Sequence, residues 1–196
     1  MSPLDRLFED VRCRGATLDQ GEQDRLRRTL HAVSSPAGTA LLGQGQVADR
    51  WIFLTSGIAA SEQCRADGSS SIARFFEAGQ FCTNLSSILT GELAEDALIA
   101  ITDCAGVAVP DRQFRQDYLD GAGFGRYLRL KVLDSYLFDK ELICAKTSAR
   151  TDARYDFLMR HHHAVLSMAP KKDIARFMGM TPQGLSRYLR SRAGPG

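Results

Sequence analysis

The residues best suited to chemistry lie near the end of the chain, where basic and polar side chains recur between residues 171 and 192. Arginine, lysine, glutamine and hydroxyl side chains hydrogen-bond to phosphates and to the edges of DNA bases. We interpret eight of them as candidate DNA contacts: Lys171, Lys172, Thr181, Gln183, Ser186, Arg187, Arg190 and Arg192.

Two helices joined by a tight turn would place these side chains on one surface. Gly179 can adopt the positive φ that ends a helix, after which Thr181 can cap the next helix and Pro182 can begin it. Small Ala175 suits a close contact between the helices. Apolar residues fill the inward positions of this helix-turn-helix register: Ile174, Met178, Met180, Leu185 and Tyr188. An ordinary helical hairpin with a basic, solvated face is the alternative.

Charge is divided unevenly along the chain. Residues 1–120 hold 11 basic and 17 acidic side chains (−6), whereas residues 121–196 hold 14 basic and 6 acidic side chains (+8). The excess of positive charge therefore lies in the segment with the candidate DNA contacts, and sequence-independent attraction to phosphate supplies much of the affinity of DNA-binding proteins. Arg176 lies in the same segment. We call the basic side chains of residues 171–192 the basic set: Lys171, Lys172, Arg176, Arg187, Arg190 and Arg192.

Length and composition limit the other possibilities. A chain of 196 residues with 44% hydrophobic content can bury a substantial core. It contains no apolar run near 18 residues and no charged-then-apolar leader, which predicts a cytoplasmic protein without a membrane partner. The five cysteines have no metal-ligand spacing and are expected to be free thiols. His161–His163 cannot converge on one ion from successive helical positions, so we expect a solvated or phosphate-facing patch and no metal site.

The pattern of elements predicts an α+β fold with three segments. Helices over 4–14 and 19–31 precede a region from Ala32 to Pro110 in which short β segments are predicted at residues 51–54, 58–64, 71–76, 97–104 and 106–110. These segments indicate an antiparallel β roll with a brief helical insertion at 84–89. Helices over 111–119, 124–146 and 151–162 lead to the helix-turn-helix. The predicted domains are a β-roll effector domain over 1–120, a dimerisation helix over 121–148 and a DNA-binding domain over 149–196.

The helix predicted over 124–146 is long and has apolar residues on more than one face. A helix with one face exposed to water needs apolar residues only on its buried face. We therefore expect this helix to pack both on the β roll and on a second copy of itself. Leu130, Leu133 and Leu137 lie close to the predicted seam, and Cys144 continues it.

The order of a β roll, a long helix and a C-terminal helix-turn-helix resembles the CRP/FNR family of bacterial transcription regulators over nearly the whole chain. The resemblance implies a cupin-like β roll of the cyclic-nucleotide-binding type and a homodimer on a two-fold symmetric site in double-stranded DNA. It also makes RNA polymerase a candidate partner. The family's base-reading positions fall on Pro182, Gln183 and Arg187. Four segments carry the resemblance: FLTSG (53–57), FEAGQF (76–81), ITDCAGVAVPDRQF (101–114) and DIARFMGMTPQGLSRYLR (173–190).

The effector pocket departs from the family pattern. Members that bind a cyclic nucleotide hold its ribose with Gly-Glu and its phosphate with Arg-Ser/Thr. Thr83 and Asn84 occupy the first pair of positions here, and Ala94, Glu95 and Asp96 occupy the second region. Without the arginine, and with two carboxylates nearby, the pocket is predicted not to bind cyclic AMP or cyclic GMP.

Cys82 offers one cofactor alternative. Phe81-Cys82 resembles the haem-binding segment of the CO-sensing family member, although the position of its histidine is Asn84 here. A buried, inert thiol is the preferred interpretation of Cys82, and no cofactor is predicted.

Two function classes remain open from the sequence. The first is a DNA-binding regulator. The second is a regulator-fold module that works through protein contact, an alternative suggested because the extra strands that form a wing in many members of the family do not follow the helix-turn-helix here. An enzyme is a distant third, since no nucleophile elbow, metal triad or paired carboxylates stand at productive spacing.

Overall fold

A computed structural model describes residues 1–65, 67–112, 115 and 122–193. The chain begins with helices α1 (Pro3–Cys13) and α2 (Gln20–Thr29), as predicted. Each begins with a capping box, in which the Ser2 or Asp19 side chain accepts from the third backbone N–H of its helix and the acidic residue there accepts in return. These reciprocal bonds satisfy two otherwise unpaired donors at each helix start.

The segment from His31 to Pro110 folds into two four-stranded antiparallel sheets, ordered β1-β8-β3-β6 and β2-β7-β4-β5. This confirms the predicted antiparallel β structure. Strands β1, β2 and β6 were not predicted, because they are short or largely exposed and lack a clear apolar alternation. The strands are β1 (His31–Ser35), β2 (Ala40–Leu42), β3 (Arg50–Ser56), β4 (Ile58–Cys64), β5 (Ser70–Glu77), β6 (Phe81–Cys82), β7 (Ala97–Ala100) and β8 (Cys104–Pro110).

The space between the two sheets is filled by small and aliphatic side chains together with Phe76, Cys82 and Cys104. The chain passes from one sheet to the other at Gly57, where φ is +85° and an added Cβ would lie 2.2 Å from the carbonyl oxygen of Asp103. Only glycine fits this close turn. The predicted insertion is confirmed as helix α3 (Leu85–Thr90), which Asn84 caps. Of the helix predicted over 111–119, residues 113, 114 and 116–119 lie outside the described residues.

The long helix α4 (Phe124–Thr147) begins on a buried carboxylate. One oxygen of Glu22 accepts from the backbone N–H groups of Gly123 and Phe124, at 3.0 Å each. These are donors that a helix start leaves unpaired, and a negative charge there also complements the helix dipole. Tyr127 donates to Asp10 of α1 at 2.6 Å, so both N-terminal helices hold the start of α4.

Within the described residues, α4 is followed by α5 (Thr151–His161), α6 (His163–Met168), α7 (Lys171–Met178) and α8 (Pro182–Ala193). Helix α6 was not predicted. The expectation of a solvated histidine patch is wrong for His162, which is fully buried among Phe75, Phe138 and Phe157. Its φ of −138° interrupts the helix and allows the ring to turn inward.

One hydrophobic cluster includes residues from each of the three predicted domains. It joins Phe75 of β5 and Leu142 of α4 to Phe157, Phe177 and Leu185 of the C-terminal helices. The β roll, the long helix and the final helices therefore share one core, and the proposed domain limits stay a prediction. Within the described part of the chain, no helix is both long and apolar enough to span a membrane.

Candidate nucleic-acid interface and effector cleft

The turn between α7 and α8 has the local structure that its residues predict. Gly179 has a φ of +70°, and the N–H of Met180 donates to the carbonyl of Ala175 at 3.0 Å. Thr181 accepts from the N–H of Gly184 at 3.0 Å, as a cap should, and α8 begins at Pro182. We call α7 and α8 the helix pair. The geometry of the helix pair agrees with the expected register, whereas its role in binding DNA stays a prediction.

The predicted inward residues of the helix pair do face the core. Ile174, Ala175, Met178 and Leu185 are buried. Met180 and Tyr188 are half-buried, and the Tyr188 hydroxyl donates to Asp152 of α5 at 2.7 Å.

The outward face of the helix pair carries side chains that are free to bind. Gln183, Arg187 and Arg190 are exposed and, among the described residues, form no side-chain hydrogen bond or ion pair. Lys171 and Lys172 are exposed at the start of α7, and Thr181 is exposed beside its cap. Ser186 is half-buried and donates to the carbonyl of Pro182 at 3.0 Å.

Two arginines of the basic set are already paired within the chain. Arg192 forms ion pairs with Asp152 at 3.1 Å and Asp156 at 2.9 Å, and its hydrogen bond with Tyr188 raises its pKa above the ordinary value. Arg176 of α7 pairs with Asp173 and with Glu62 of β4. The sequence did not indicate the Glu62 contact, because its partners are 114 residues apart.

A cleft of about 1430 Å³ separates the β roll from α4. Of the predicted effector-pocket residues, Thr83, Asn84, Glu95 and Asp96 line it. Cys82 and Ala94 are buried outside its lining, and burial raises the pKa of the Cys82 thiol. This environment disfavours the thiolate that a haem ligand requires.

Two polar side chains at the predicted phosphate and ribose positions, Asp96 and Asn84, form hydrogen bonds within the protein. Asp96 accepts from the hydroxyl of Ser61 at 2.5 Å, and its other oxygen is buried and has no hydrogen-bond partner among the described residues. Asn84 uses its side-chain oxygen to accept from the N–H of Ser87 at the start of α3. Because the predicted phosphate positions themselves present the acceptors of Glu95 and Asp96 and carry no arginine, this region is poorly suited to an anion.

Arg74 is one of the arginines that line the cleft, together with Arg14 and Arg129. Arg74 of β5 donates to Asp139 at 2.6 Å and to Ser135 at 3.0 Å, both on α4. Its guanidinium lies 4.8 Å from the ring centroid of Phe76 and 4.7 Å from that of Phe138. Burial lowers the pKa of Arg74, which Asp139 partly offsets, and burial raises the pKa of Asp139. Sequence reasoning missed this bridge, since nothing in the β5 pattern indicates a partner on a helix 61 residues later.

Lys146 connects the cleft to the helix pair. Its ammonium donates to the carbonyl of Ile72 in β5 at 2.7 Å and to that of Phe177 in α7 at 2.8 Å. Burial, with a smaller contribution from nearby Arg154, lowers the pKa of Lys146 to about 7. A neutral amine still has two N–H donors for the two carbonyls, so the contact can persist in either protonation state.

Helix α4 also carries large apolar side chains that are exposed, and three of them, Val132, Leu133 and Ile143, lie at the border of the cleft. Leu133 and Leu137 are 58% and 60% exposed, and Val132, Tyr136 and Ile143 are exposed with them. Leu130 is half-buried. Several large apolar side chains on one face of a helix are typical of a surface that another chain covers.

Comparisons with known proteins agree with this fold. Residues 32–118 match the family model of the cyclic nucleotide-binding domain. FixK2 from Bradyrhizobium japonicum has a TM-score of 0.65 at 16% identity, over 83% of this chain and 83% of that chain. The c-di-GMP responsive global regulator CLP of Xanthomonas campestris has a TM-score of 0.58 at 18% identity, over 89% and 92%. These similarities show that the chain has the fold shared by the two proteins.

A further structural match is partial. It is to the regulatory subunit of a cAMP-independent protein kinase A from Trypanosoma brucei, with a TM-score of 0.46 and 18% identity. It covers 51% of this chain but only 36% of that chain, so this chain spans about a third of that subunit. No curated protein matches the chain significantly in sequence.

The buried Lys146 generates a prediction about pH. Its pKa is about 7 in the folded chain against an ordinary 10.5, so between these values the unfolded chain binds more protons. The free energy of unfolding should therefore rise with pH from 7 to 9, by at most about 1.4 kcal/mol per unit. Lys146→Met should remove this rise, whereas Lys140→Met, at an exposed lysine of α4, should keep it. Urea unfolding of the wild type and both variants at pH 7, 8 and 9 measures the free energy of unfolding. The same increase of that free energy with pH in all three proteins would contradict a lowered pKa of Lys146.

Proposed function

We propose that this chain is a DNA-binding transcriptional regulator of the CRP/FNR type that reads a two-fold symmetric site as a homodimer. The observation that carries the proposal is the outward face of the helix pair. There Gln183, Arg187 and Arg190 project from a helix whose opposite face is fixed in the core. Side chains that are held at the base and unpaired at the tip suit direct contact with base edges.

Charge supports the same proposal. Lys171 and Lys172 are exposed at the start of α7, on the same helix pair as the exposed Arg187 and Arg190. Arg192 and Arg176 are occupied by carboxylates, which leaves these four side chains as the basic part of the proposed phosphate-binding surface. We propose binding as the activity of this surface and assign it no catalytic role.

The first prediction of this proposal concerns Arg187. If it donates to the O6 and N7 of a guanine, Arg187→Ala should cost about 1 to 3 kcal/mol on the preferred site and weaken preference at one base pair of each half-site. Gln183→Ala should act at an adjacent position. Selection of bound fragments from genomic DNA, followed by gel-shift titration, measures both effects.

The control for this experiment is Arg12→Ala, which removes an exposed arginine from α1. It should leave affinity and sequence preference unchanged. An equal loss on preferred and random DNA in Arg187→Ala would show that this side chain contacts phosphate only.

The apolar face of α4 supports the homodimer. Leu133, Leu137 and Cys144 succeed one another at spacings of four and seven, and all are exposed. In a parallel pair of helices related by a two-fold axis, equivalent positions of this seam meet. The dimer would bury Leu133 and Leu137 and place two copies of the helix pair for successive major grooves, about 34 Å apart.

A charge in the seam should therefore split the dimer. Leu137→Glu should give a monomer at micromolar concentration and abolish cooperative binding to paired half-sites, because an unpaired carboxylate is costly to bury. Val47→Glu, at an exposed valine of the β roll, should leave the dimer intact. Sedimentation velocity distinguishes the two.

Mild oxidation provides a second measurement. A disulfide-crosslinked dimer that Cys144→Ser prevents supports the seam. A wild type that is monomeric in sedimentation rules the seam out.

We also propose that the cleft does not take a cyclic nucleotide. Its predicted phosphate region presents Glu95 and Asp96. Among the basic side chains of its lining, Arg74 is bound to Asp139, Arg14 to Asp134, Lys131 to Asp10, and Lys146 to two backbone carbonyls. An effector, if one acts on the chain, has other chemistry. With Cys82 buried and its thiol pKa raised, the geometry gives no support to haem as a cofactor.

Calorimetry tests this part of the proposal directly. Cyclic AMP and cyclic GMP should show no saturable binding at millimolar concentration, because the carboxylates repel the cyclic phosphate. Glu95→Arg combined with Asp96→Ser should admit weak binding if charge is the cause. Tight binding by the wild type would place the nucleotide pocket elsewhere in the cleft, while leaving the proposal for the helix pair intact.

A further inference from the structure

Arg176 occupies an unexpected position for a basic residue of the helix pair. Its guanidinium binds three side chains, and two of these lie on the β4–β5 hairpin of the roll. It pairs with Glu62 and donates to Ser70 at 2.6 Å and to Asp173 at 3.0 Å. The Arg176 side chain is only 25% exposed and Glu62 only 17%. A charge held in this way cannot reach a phosphate unless the ion pair first breaks.

Other contacts join the same two elements. Phe177 packs on Phe75 of β5 with ring centroids 5.4 Å apart, and Lys146 bridges the carbonyls of Ile72 and Phe177. Beside it, Arg154 donates to the carbonyl of Met178 at 2.6 Å. The C-terminal end of α7 is thus attached to the hairpin by apolar contact and through polar groups.

The connection to α4 does not by itself orient the helix pair. Helix α4 ends at Thr147, and residues 148–150 are not helical before α5 begins; Ser148 and Arg150 have extended backbone conformations. Because no continuous helix runs from α4 into α5, contacts must fix the orientation of the helices beyond residue 150. The contacts of α7 with the hairpin leave the outward face of α8 uncovered, so this arrangement is compatible with binding.

We infer that Arg176 is a positioning residue: by attaching α7 to the β4–β5 hairpin through Glu62, it sets the separation between half-sites that the dimer accepts. The inference rests on the proposed function. In a two-fold dimer, a rotation of the helix pair relative to α4 occurs in both copies of the chain. It therefore changes the distance between the two copies of α8. A rigid attachment therefore selects one half-site spacing, and a loose one tolerates several.

The two possible roles of Arg176, phosphate contact and positioning, predict different effects for a substitution of Glu62 in the roll. If Arg176 binds phosphate, Glu62→Gln frees it and removes a nearby negative charge, so affinity for DNA should rise. If Arg176 positions the helix pair, Glu62→Gln should weaken discrimination between spacings. Glu62 is far from the candidate DNA contacts in sequence and lies on the hairpin, so it tests the attachment independently.

The experiment uses the full chain and duplexes that carry the site selected from genomic DNA, with zero, one or two base pairs inserted or deleted between half-sites. For the wild type, a one-base-pair change should reduce affinity about tenfold, since it shifts and rotates one half-site relative to the other. In Arg176→Gln and in Glu62→Gln the reduction should fall to about threefold or less. The double variant should match the single ones, because both act through one contact.

Salt dependence separates positioning from phosphate contact. The slope of log affinity against log salt should be the same in Arg176→Gln as in the wild type, whereas loss of a phosphate contact lowers it by about one. Lys172→Gln is the matched control, with a lower slope and an unchanged spacing preference. Urea unfolding of each variant confirms that the protein tested is folded.

Each outcome decides the inference. Three results overturn it while the proposed function stands. They are a spacing preference that Arg176→Gln retains, a lower salt slope in Arg176→Gln, and tighter DNA binding by Glu62→Gln. A wild type that selects no symmetric site overturns the proposed function and this inference with it. Broadened spacing in both single variants, without further broadening in the double, supports it.

Discussion

The packing of Phe75, Phe157 and Phe177 is the contact on which the arrangement of the molecule depends. Phe177 lies 5.4 Å from Phe75 of the β roll and 6.3 Å from Phe157 of α5, measured between ring centroids, and all three rings are buried. Aromatic side chains bury large areas, and removing one from a core typically costs about 3 to 5 kcal/mol. Because each ring belongs to a different element, the roll and the C-terminal helices cannot separate without exposing this cluster.

Polar contacts are arranged around this apolar centre so that α4 has two different sides. Arg74 and Lys146 hold one side on the roll, through Asp139 and through the carbonyl of Ile72. Each is largely buried and hydrogen-bonded to protein groups, although Nε of Arg74 has no partner among the described residues. These hydrogen bonds limit the desolvation cost that a buried charge would otherwise impose. The other side carries Leu133 and Leu137 in the open. The roll thus orients the exposed apolar face, and the proposed dimer depends on that orientation.

This organisation relates the cleft to the proposed DNA surface. Ile72 and Lys146 line the cleft, and Lys146 also binds the carbonyl of Phe177 in α7. A change in the cleft that moved β5 or α4 would reach α7 through this lysine and through Arg176. Coupling between sites requires such a physical connection, and the double variant of Glu62 and Arg176 tests one link of it.

Local chemistry made much of the fold predictable. The turn at Gly179, the cap at Thr181 and the start of α8 at Pro182 depend only on neighbouring residues, and the structure shows each of them. The apolar periodicity of α4 and the antiparallel strands β3 to β5 were also readable. Strands β1, β2 and β6 were missed because their residues carry little alternation and their conformation comes from pairing with longer strands.

The sequence by itself determined where α7 ends and α8 begins, which residues of the helix pair face outward, and that no arginine stands at position 94, 95 or 96. Only the tertiary structure decided that Arg176 and Arg192 are paired, that His162 is buried, and that Arg74 and Lys146 bridge the roll to the helices. The physical reason is distance along the chain. Caps and turns join residues three to five apart, whereas these ion pairs join residues tens to more than a hundred apart, which only the packing of the core brings together.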